Sequence, residues 1–565
     1  MQQNKRKQQS FQYGAMILLC STMLVKIIGA IFKIPIARLW TDDGFGCFDS
    51  AYQLFTPIYT LAMAGLPIAI SRIVATHTKN GRYNDVKGTF KVAKRLFMVT
   101  GLSGFIIMLL LSFPFVKYTD ASGESIYSIF AIAPALFFCC IMSAYRGYYE
   151  GLRNMYPTAI SDIIEALGKL ILGYGFAYII MKLTGRYELS AAGAMLGIVM
   201  GGVASAAFLS LRHKLKGDGI TGEELAAAPA AESDKTLAKA LIAIAIPVVL
   251  ASLANSFSSL ADTFFVKGQL TQMMGEHADT IRSMYSASIA ERDLLASKAG
   301  EAALTNAQIP NFLFGVRGKA FTLYNLVPSI TSILGVSALP VITSAWTKRD
   351  LKTVKQNVES TLKLTAIITM PIGFGFLSLG NEIMNLLYNT AASVEIGGTM
   401  LRIYGVTAIF AGLAIPMTSI LQAIGKEKIS LRNVAIGAAI KVVVNFILVG
   451  IPTINIRGAA VGTMACFLFI FTANLLSLIK YTGVKPNLWQ NVLKPFISAF
   501  ACGLSTVILN LNFMGRIGTV LEIAVAAVVY FVVLILLNTF EAEDVITLPK
   551  GDKILKLFTK LKIIR

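Results

Sequence analysis

Hydrophobic positions in this chain are gathered into long unbroken runs, with polar residues confined to the short stretches between them. Runs of about 20 apolar residues, enough to cross a bilayer core as a helix, lie near 14–37, 50–74, 96–115, 126–148, 157–181, 190–211 and 238–265. They continue near 319–345, 358–380, 399–424, 431–451, 457–479, 491–511 and 517–539. Backbone polar groups in hydrocarbon must be satisfied within the segment, so each run reads as a helix. The pattern predicts an all-α, polytopic membrane protein with about 14 transmembrane helices. Two longer polar segments interrupt it: a charged linker at 212–237 and an outer loop at 267–316. They divide the chain into a six-helix lobe at 1–211, the linker, and a second six-helix lobe at 238–480 that includes the outer loop. Two additional helices at 481–540 and a basic tail at 541–565 follow.

Composition strengthens this reading. Of 565 residues, 55% are hydrophobic and 15% charged, against about 25% charged in soluble domains, and mean hydropathy is +0.66. A soluble multidomain protein is excluded. The net charge of +20 is largely topological. With a cytoplasmic N-terminus, about 30 Lys and Arg fall in inside segments and about 5 in the short outside loops, a strong positive-inside bias. A nucleic-acid partner is not needed to explain it. The N-terminus lacks a small-residue cleavage site, so its apolar run reads as a first membrane helix and not a removed signal. Both termini are then cytoplasmic. The six cysteines, without CxxC spacing, read as packing residues, and His77, His213 and His277 fall in predicted loops without forming a metal-ligand cluster.

The two lobes resemble each other. Leu66-Pro67-Ile68-Ala69-Ile70-Ser71 is echoed by Leu339-Pro340-Val341-Ile342-Thr343-Ser344, an offset of 339 − 66 = 273. Glu150-Gly151-Leu152 and Lys169 are echoed by Gln422-Ala423-Ile424 and Lys441, with 441 − 169 = 272. Six spans per repeat give parallel halves, and transporters built from such halves bind substrate between them.

Charges inside the runs are the candidate chemistry, because each costs about 2.5–3.5 kcal/mol at the bilayer centre and must face a cavity or a partner. Lys26 lies deep in the first run, Lys33 follows at i+7 on the same face, and Arg38 ends it. For Lys33 and Arg38 snorkelling to the interface is the alternative, as it is for Arg72 in the second run. Glu165 and Lys169 are spaced for an i,i+4 pair. Lys441 lies mid-run with Asn445 one turn on, and Asp262 lies near the outer end of the seventh run. Arg317, Lys319 and Arg402 read as interfacial. Cations outnumber anions, so the cavity they line would attract an anionic group. The last two helices read either as an apolar groove for a lipid tail or as lipid-facing packing. Gly193-xxx-Gly197-xxx-Gly201 is a helix-packing face. No phosphate loop, HExxH, GxSxG or His-centred acid/base pair is present, so no enzymatic activity or cofactor is expected.

The stretches KIIGAIFKIPIARLWTDDGFGCFDSAYQLF, AGLPIAISRIVA, GYYEGLRNMYPTAISDIIEALGKLILG and ALPVITSAW resemble the polysaccharide-biosynthesis branch of the multidrug/oligosaccharidyl-lipid/polysaccharide (MOP) exporter superfamily. Within it they are similar to the group of stage V sporulation protein B and the MurJ-type lipid II flippases. The resemblance implies two pseudo-symmetric six-helix lobes around a cavity plus two C-terminal helices, in a bacterial inner membrane. It also implies movement of an undecaprenyl-pyrophosphate-linked saccharide from the inner to the outer leaflet. The partners implied are that glycan lipid, the surrounding membrane lipids and cell-wall synthesis machinery. Family basic residues cluster on the first two helices, which carries over to Lys26, Arg72 and Lys33. Some members hold sodium between the seventh, eleventh and twelfth helices. Asp262 matches one such ligand, while Lys441 brings a cation there, and an Asp262–Lys441 pair would replace the ion. Sodium and the membrane potential both stand as energy sources. A drug or metabolite antiporter of the same superfamily, a teichoic or capsular intermediate flippase and a non-transporting scaffold are the other readings.

Overall fold

A computed structural model describes residues 11–40, 42–63, 65–120, 122–298, 302–509 and 515–539. The side chains of 11–16, 19, 30, 247, 248 and 250–262 lie outside that description. Asp262 and the basic termini therefore lie outside the described residues. All regular structure among the described residues is helical. Thirteen helical segments are long and apolar enough to span a membrane, and they coincide one for one with thirteen of the fourteen predicted runs. The remaining run, 238–265, lies within one continuous helix, Asp234–Glu276. The chain is a multi-pass membrane protein. Large apolar side chains such as Leu102, Leu110, Val507 and Phe531 stand exposed along the spans, as lipid-facing surfaces require.

The chain packs as two compact units. One holds the described residues up to Thr280 together with Arg292–Gly315; the other holds Ile281–Glu291 and those from Val316 on. In the first unit the helices are α1 (Phe11–Leu39), α2 (Asp42–Met63), α3 (Leu66–Lys79), α4 (Tyr83–Thr119), α5 (Ser125–Ile132), α6 (Ala135–Gly151), α7 (Tyr156–Gly168), α8 (Tyr174–Thr184) and α9 (Tyr187–Lys216), with a π-helical turn at Lys169–Gly173 joining α7 to α8. The short α10 (Gly222–Ala227) and long α11 (Asp234–Glu276) complete it, α11 packing on α2, α3 and α4. Next come α12 (Ala278–Met284), α13 (Ser286–Lys298) and α14 (Ile309–Tyr324), within which the division between units falls. The second unit continues with α15 (Leu326–Thr347), α16 (Leu351–Leu387), α17 (Gly398–Ala423), α18 (Glu427–Val449), α19 (Gly458–Thr482), α20 (Lys494–Leu509) and α21 (Gly515–Leu536).

The repeat read from sequence recurs as cap geometry. Leu152 ends α6 and Ile424 ends α17, each with ψ near zero (4° and 10°), and the next residues, Arg153 and Gly425, are both left-handed at φ 56° and 73°. Likewise α3 and α15 end before left-handed Gly81 and Arg349, and the 37-residue helices α4 and α16 follow.

The linker is not a free tether. Asn84 at the start of α4 donates to the Leu225, Ala228 and Pro229 carbonyls at 3.0–3.2 Å. Buried Asp85 accepts from the Glu232 backbone N–H at 2.6 Å, and Arg82 bridges Asp85 and Glu232 at 2.6 and 2.7 Å. His213, expected in a loop, ends α9 instead, packed among Phe90, Tyr145, Tyr148 and Tyr149. The predicted outer loop is also largely helical, and both its ends are buried in polar contacts. Lys267 donates to Ser50 Oγ at 2.8 Å, Arg292 pairs with buried Asp43 at 2.7 Å, and Asn311 donates to Asp120 at 2.8 Å. Burial alone would raise the Asp120 carboxyl, but the Lys267 ammonium and hydrogen bonds from Ser122 and Ser125 hold it below the usual carboxylate range.

In the second unit, Asn433 donates to Asn474 at 3.0 Å and Asn474 to Thr418 at 2.9 Å, a polar tie across α18, α19 and α17. The last two helices present one face to α16, where Phe496 and Phe500 meet Phe374 and Tyr530 donates to the Ile367 carbonyl; Val507, Ile508 and Val528 stay exposed.

Two outcomes are expected here. A Cβ on Gly197 would lie 2.2 Å from the Gly173 backbone, whereas Gly175 has open space. Gly197→Ala therefore destabilises by about 1–3 kcal/mol and Gly175→Ala does not, read as thermal unfolding in detergent. Asn84→Ala removes the linker's carbonyl contacts and speeds glutamyl-endopeptidase cleavage at Glu223 and Glu224 by about fivefold, read on gels.

Candidate functional site

The first unit encloses a cavity of about 380 Å³ between α1, α2, α6, α7, the π-helical turn and α9. One wall is an aromatic stripe on α2. Phe45, Phe48, Tyr52, Phe55 and Tyr59 are spaced three and four residues apart, so they share one helix face. Successive ring centroids are 5.3–6.3 Å apart. Tyr52, Phe55 and Tyr59 face the cavity. Phe32 from α1 and Trp40 pack on Phe48 behind it.

The opposite wall carries the charges. Gly168 and Gly201 meet backbone to backbone, as do Gly173 and Gly197, where a Cβ would approach within 2.2–2.5 Å. The predicted Gly193–Gly197–Gly201 face is this seam. It lets α7 and the π-helical turn lie directly on α9, and such turns recur at functional sites because they re-aim a side chain. Here the turn opens at Lys169. Its Nζ donates to the Tyr52 hydroxyl at 2.5 Å and lies 4.8 Å from the Tyr52 ring and 5.1 Å from the Phe32 ring. Lys33 Nζ approaches the same Tyr52 ring at 5.8 Å. Two ammonium groups thus approach one tyrosine, Lys169 at its hydroxyl and Lys33 at its ring, an attraction that strengthens on desolvation.

The expected Glu165–Lys169 pair does not form. Glu165 pairs with Arg146 of α6 at 2.9 Å, and Asp162, one turn earlier on α7, takes the same guanidinium at 3.0 Å. Arg146 also donates to Ser161 Oγ at 2.9 Å and to Ser205 Oγ at 3.3 Å. A guanidinium presents its donors in a fixed fork, so one side chain ties α6, α7 and α9 together. Sequence reasoning did not single out Arg146. The signal available was the i,i+3 carboxylate pair Asp162 and Glu165 in an apolar run. Tyr52 was missed as well, although its place in the 3,4,3,4 aromatic spacing was readable.

The other predicted residues distribute unevenly. Lys33 is half-buried beside the cavity. Lys26, Arg72 and Arg38 are exposed, and none of them lines it. Lys441 and Asn445 are buried in the second unit on the face of α18 toward α19, with Asn445 Oδ1 against Gly462. A donor-only ammonium and one amide oxygen are not a sodium ligand set, so the described residues at this place do not fit that ion. Arg317 and Lys319 are not interfacial. Both are buried in the second unit, over the Phe321 and Tyr388 rings at 5.0 and 5.3 Å.

Fold and site define a polytopic α-helical membrane protein with a charged, aromatic-walled cavity in one unit. The family model for polysaccharide biosynthesis protein matches residues 12–273, and that for MatE matches residues 315–447. Stage V sporulation protein B of Bacillus subtilis (strain 168) is 24% identical over 96% of this chain and 98% of its own length. Lipid II flippase MurJ of the same organism is 24% identical over 86% of this chain and 89% of its own. Among solved structures, the inward closed conformation of lipid II flippase MurJ matches with TM-score 0.64 at 12% identity, covering 92% of this chain and 98% of that one. An inward-facing multidrug resistance MATE transporter of the MOP superfamily matches with TM-score 0.63 at 15% identity, covering 83% and 98%. Over nearly its whole length the chain is thus similar to polysaccharide-biosynthesis and MatE proteins.

Replacing Arg146 with Met strands two carboxylates around an apolar side chain. The substitution lowers stability by about 3–5 kcal/mol, and the triple change with Asp162→Asn and Glu165→Gln restores most of it, read by thermal unfolding in detergent.

Proposed function

We propose that this protein is a flippase for a polyprenyl-diphosphate-linked saccharide, with the peptidoglycan precursor lipid II as substrate, acting by alternating access in a bacterial plasma membrane with both termini cytoplasmic. The observation that carries the reading is the first-unit cavity, where Lys33 and Lys169 approach one tyrosine with no carboxylate in ion-pair contact among the described residues, while Arg146 takes both acids. A cavity for an organic cation would leave the acids open and the ammonium groups absent. The names of the curated relatives support a lipid-linked substrate.

The chemistry of the cargo sets the route. Each buried methylene holds the tail in the bilayer by about 0.8 kcal/mol, so only the head group needs a polar path. Lys26 and Arg72 attract the diphosphate, with Lys33 and Lys169 extending the cationic surface into the cavity. Bringing the anion over resets the field the empty carrier feels. The membrane potential, worth about 2.3 kcal/mol per charge per 100 mV, draws the cationic empty carrier back toward a negative interior.

Proteoliposomes loaded with lipid II test this, scored by the fraction that becomes accessible in the far leaflet. Loss of a charge-assisted contact to a phosphate corresponds to about tenfold or more. Lys26→Ala and Lys169→Ala fall by that factor, and Arg402→Ala stays near the parent rate. Equal activity of Lys26→Ala and Arg402→Ala would sink the assignment. Transport of a lipophilic drug cation in place of lipid II would favour the antiporter reading.

A further inference from the structure

We infer that the first-unit cavity is a glycosyl subsite, which binds a sugar ring of the head group in addition to its phosphates. This rests on the flippase reading and names what the cavity itself recognises. Three features converge. First, Tyr52, Phe55 and Tyr59 offer a run of ring surface on one side of the cavity. The C–H face of a pyranose carries partial positive charge and meets the negative face of an aromatic ring favourably, whereas a phosphate gains nothing there. Second, the opposite side carries Asp162 and Glu165, one turn apart and each held by Arg146 through a single oxygen, Oδ1 and Oε2. Their remaining oxygens keep acceptor capacity, and both residues line the cavity with side chains 24% and 33% exposed. Two carboxylates held in register by a rigid guanidinium fit a pair of sugar hydroxyls, which are donors that a diphosphate lacks. Third, Lys33 and Lys169 stand at the Tyr52 end, where the anionic group joined to that sugar would lie.

The size agrees. A cavity of 380 Å³ lies at the lower end of the roughly 300–1,000 Å³ typical of small-ligand pockets, suited to a sugar-sized group and too small for a polyprenyl chain. A purely structural ion cluster would account for Arg146, but not for the aromatic stripe that lines the same cavity.

Binding of two probes to the full-length protein in nanodiscs separates the readings: a polyprenyl diphosphate, and the same lipid bearing one N-acetylhexosamine. Stacking plus one or two hydroxyl contacts corresponds to a preference of about tenfold for the glycosylated probe. Tyr59→Leu and Asp162→Asn bring the affinity ratio toward one, and Tyr59→Phe, which keeps the ring, retains most of it. Equal affinity of the parent protein for both probes overturns the subsite and leaves the flippase reading standing. So does a ratio unchanged in both Tyr59→Leu and Asp162→Asn. Binding of neither probe overturns the flippase reading, and the subsite falls with it.

Discussion

An ionised side chain carried into hydrocarbon has to be compensated by the protein, because the lipid offers it nothing. In the first unit this constraint decides how three helices meet. Arg146 sits on α6 with its donors directed to two carboxylates and two hydroxyls from α7 and α9. Separating α6 from α7 would leave uncompensated charges, which is why a single guanidinium can fix their spacing. Lys33 and Lys169 are compensated differently, by the Tyr52 ring and hydroxyl. An aromatic face offsets part of the desolvation cost of an ammonium but leaves its charge available. The cavity therefore has one end where carboxylates hold the cation and one end where a tyrosine does.

That division lies in the side chains. Lys169 still bonds backbone to backbone with Glu165 one α-helical turn back, yet its side chain goes to Tyr52 while Glu165 goes to Arg146. A π-helical turn runs on from Lys169. It is accommodated because Gly168, Gly173, Gly197 and Gly201 let α9 approach at backbone distance. Bulk at this seam would push the turn away from α9 and shift both walls of the cavity.

The spans were legible from sequence because the bilayer imposes one length and one polarity on every crossing; thirteen predicted runs coincide with helices and the remaining run lies inside α11. The repeat was legible because cap residues recur, as Leu152-Arg153 and Ile424-Gly425 do. Partner choice was not. Arg146 stands near the end of its run, where interfacial and buried cations read alike, and its carboxylates lie 16 and 19 residues on. Arg317 and Lys319 read as interfacial for the same reason, yet are fully buried. The segment at 267–316 looked solvated because polar and charged residues recur through it and break any long apolar run, but Lys267, Arg292 and Asn311 are spent on internal contacts. Polarity alone does not distinguish a group facing water from a group facing its partner.

A carrier must release what it binds, so the strength of its charge matters as much as its sign. Against Lys33, Lys169 and Arg146 stand Asp162 and Glu165, three cations to two anions, a surplus of a single charge. Three open cations in a low-dielectric cavity would hold a diphosphate too firmly to let it leave, by the same balance that limits binding in conducting pores. Cancelling Arg146 internally lowers the attraction without removing the guanidinium's hold on α6, α7 and α9. The fork also holds the carboxylates in register, so that selectivity can come from hydroxyls and ring faces. Affinity that rests on shape and hydrogen bonds is lost as soon as the walls separate, whereas bare Coulomb attraction decays slowly with distance. A cavity neutralised in this way is suited to a cargo that must be gripped in one leaflet and dropped in the other.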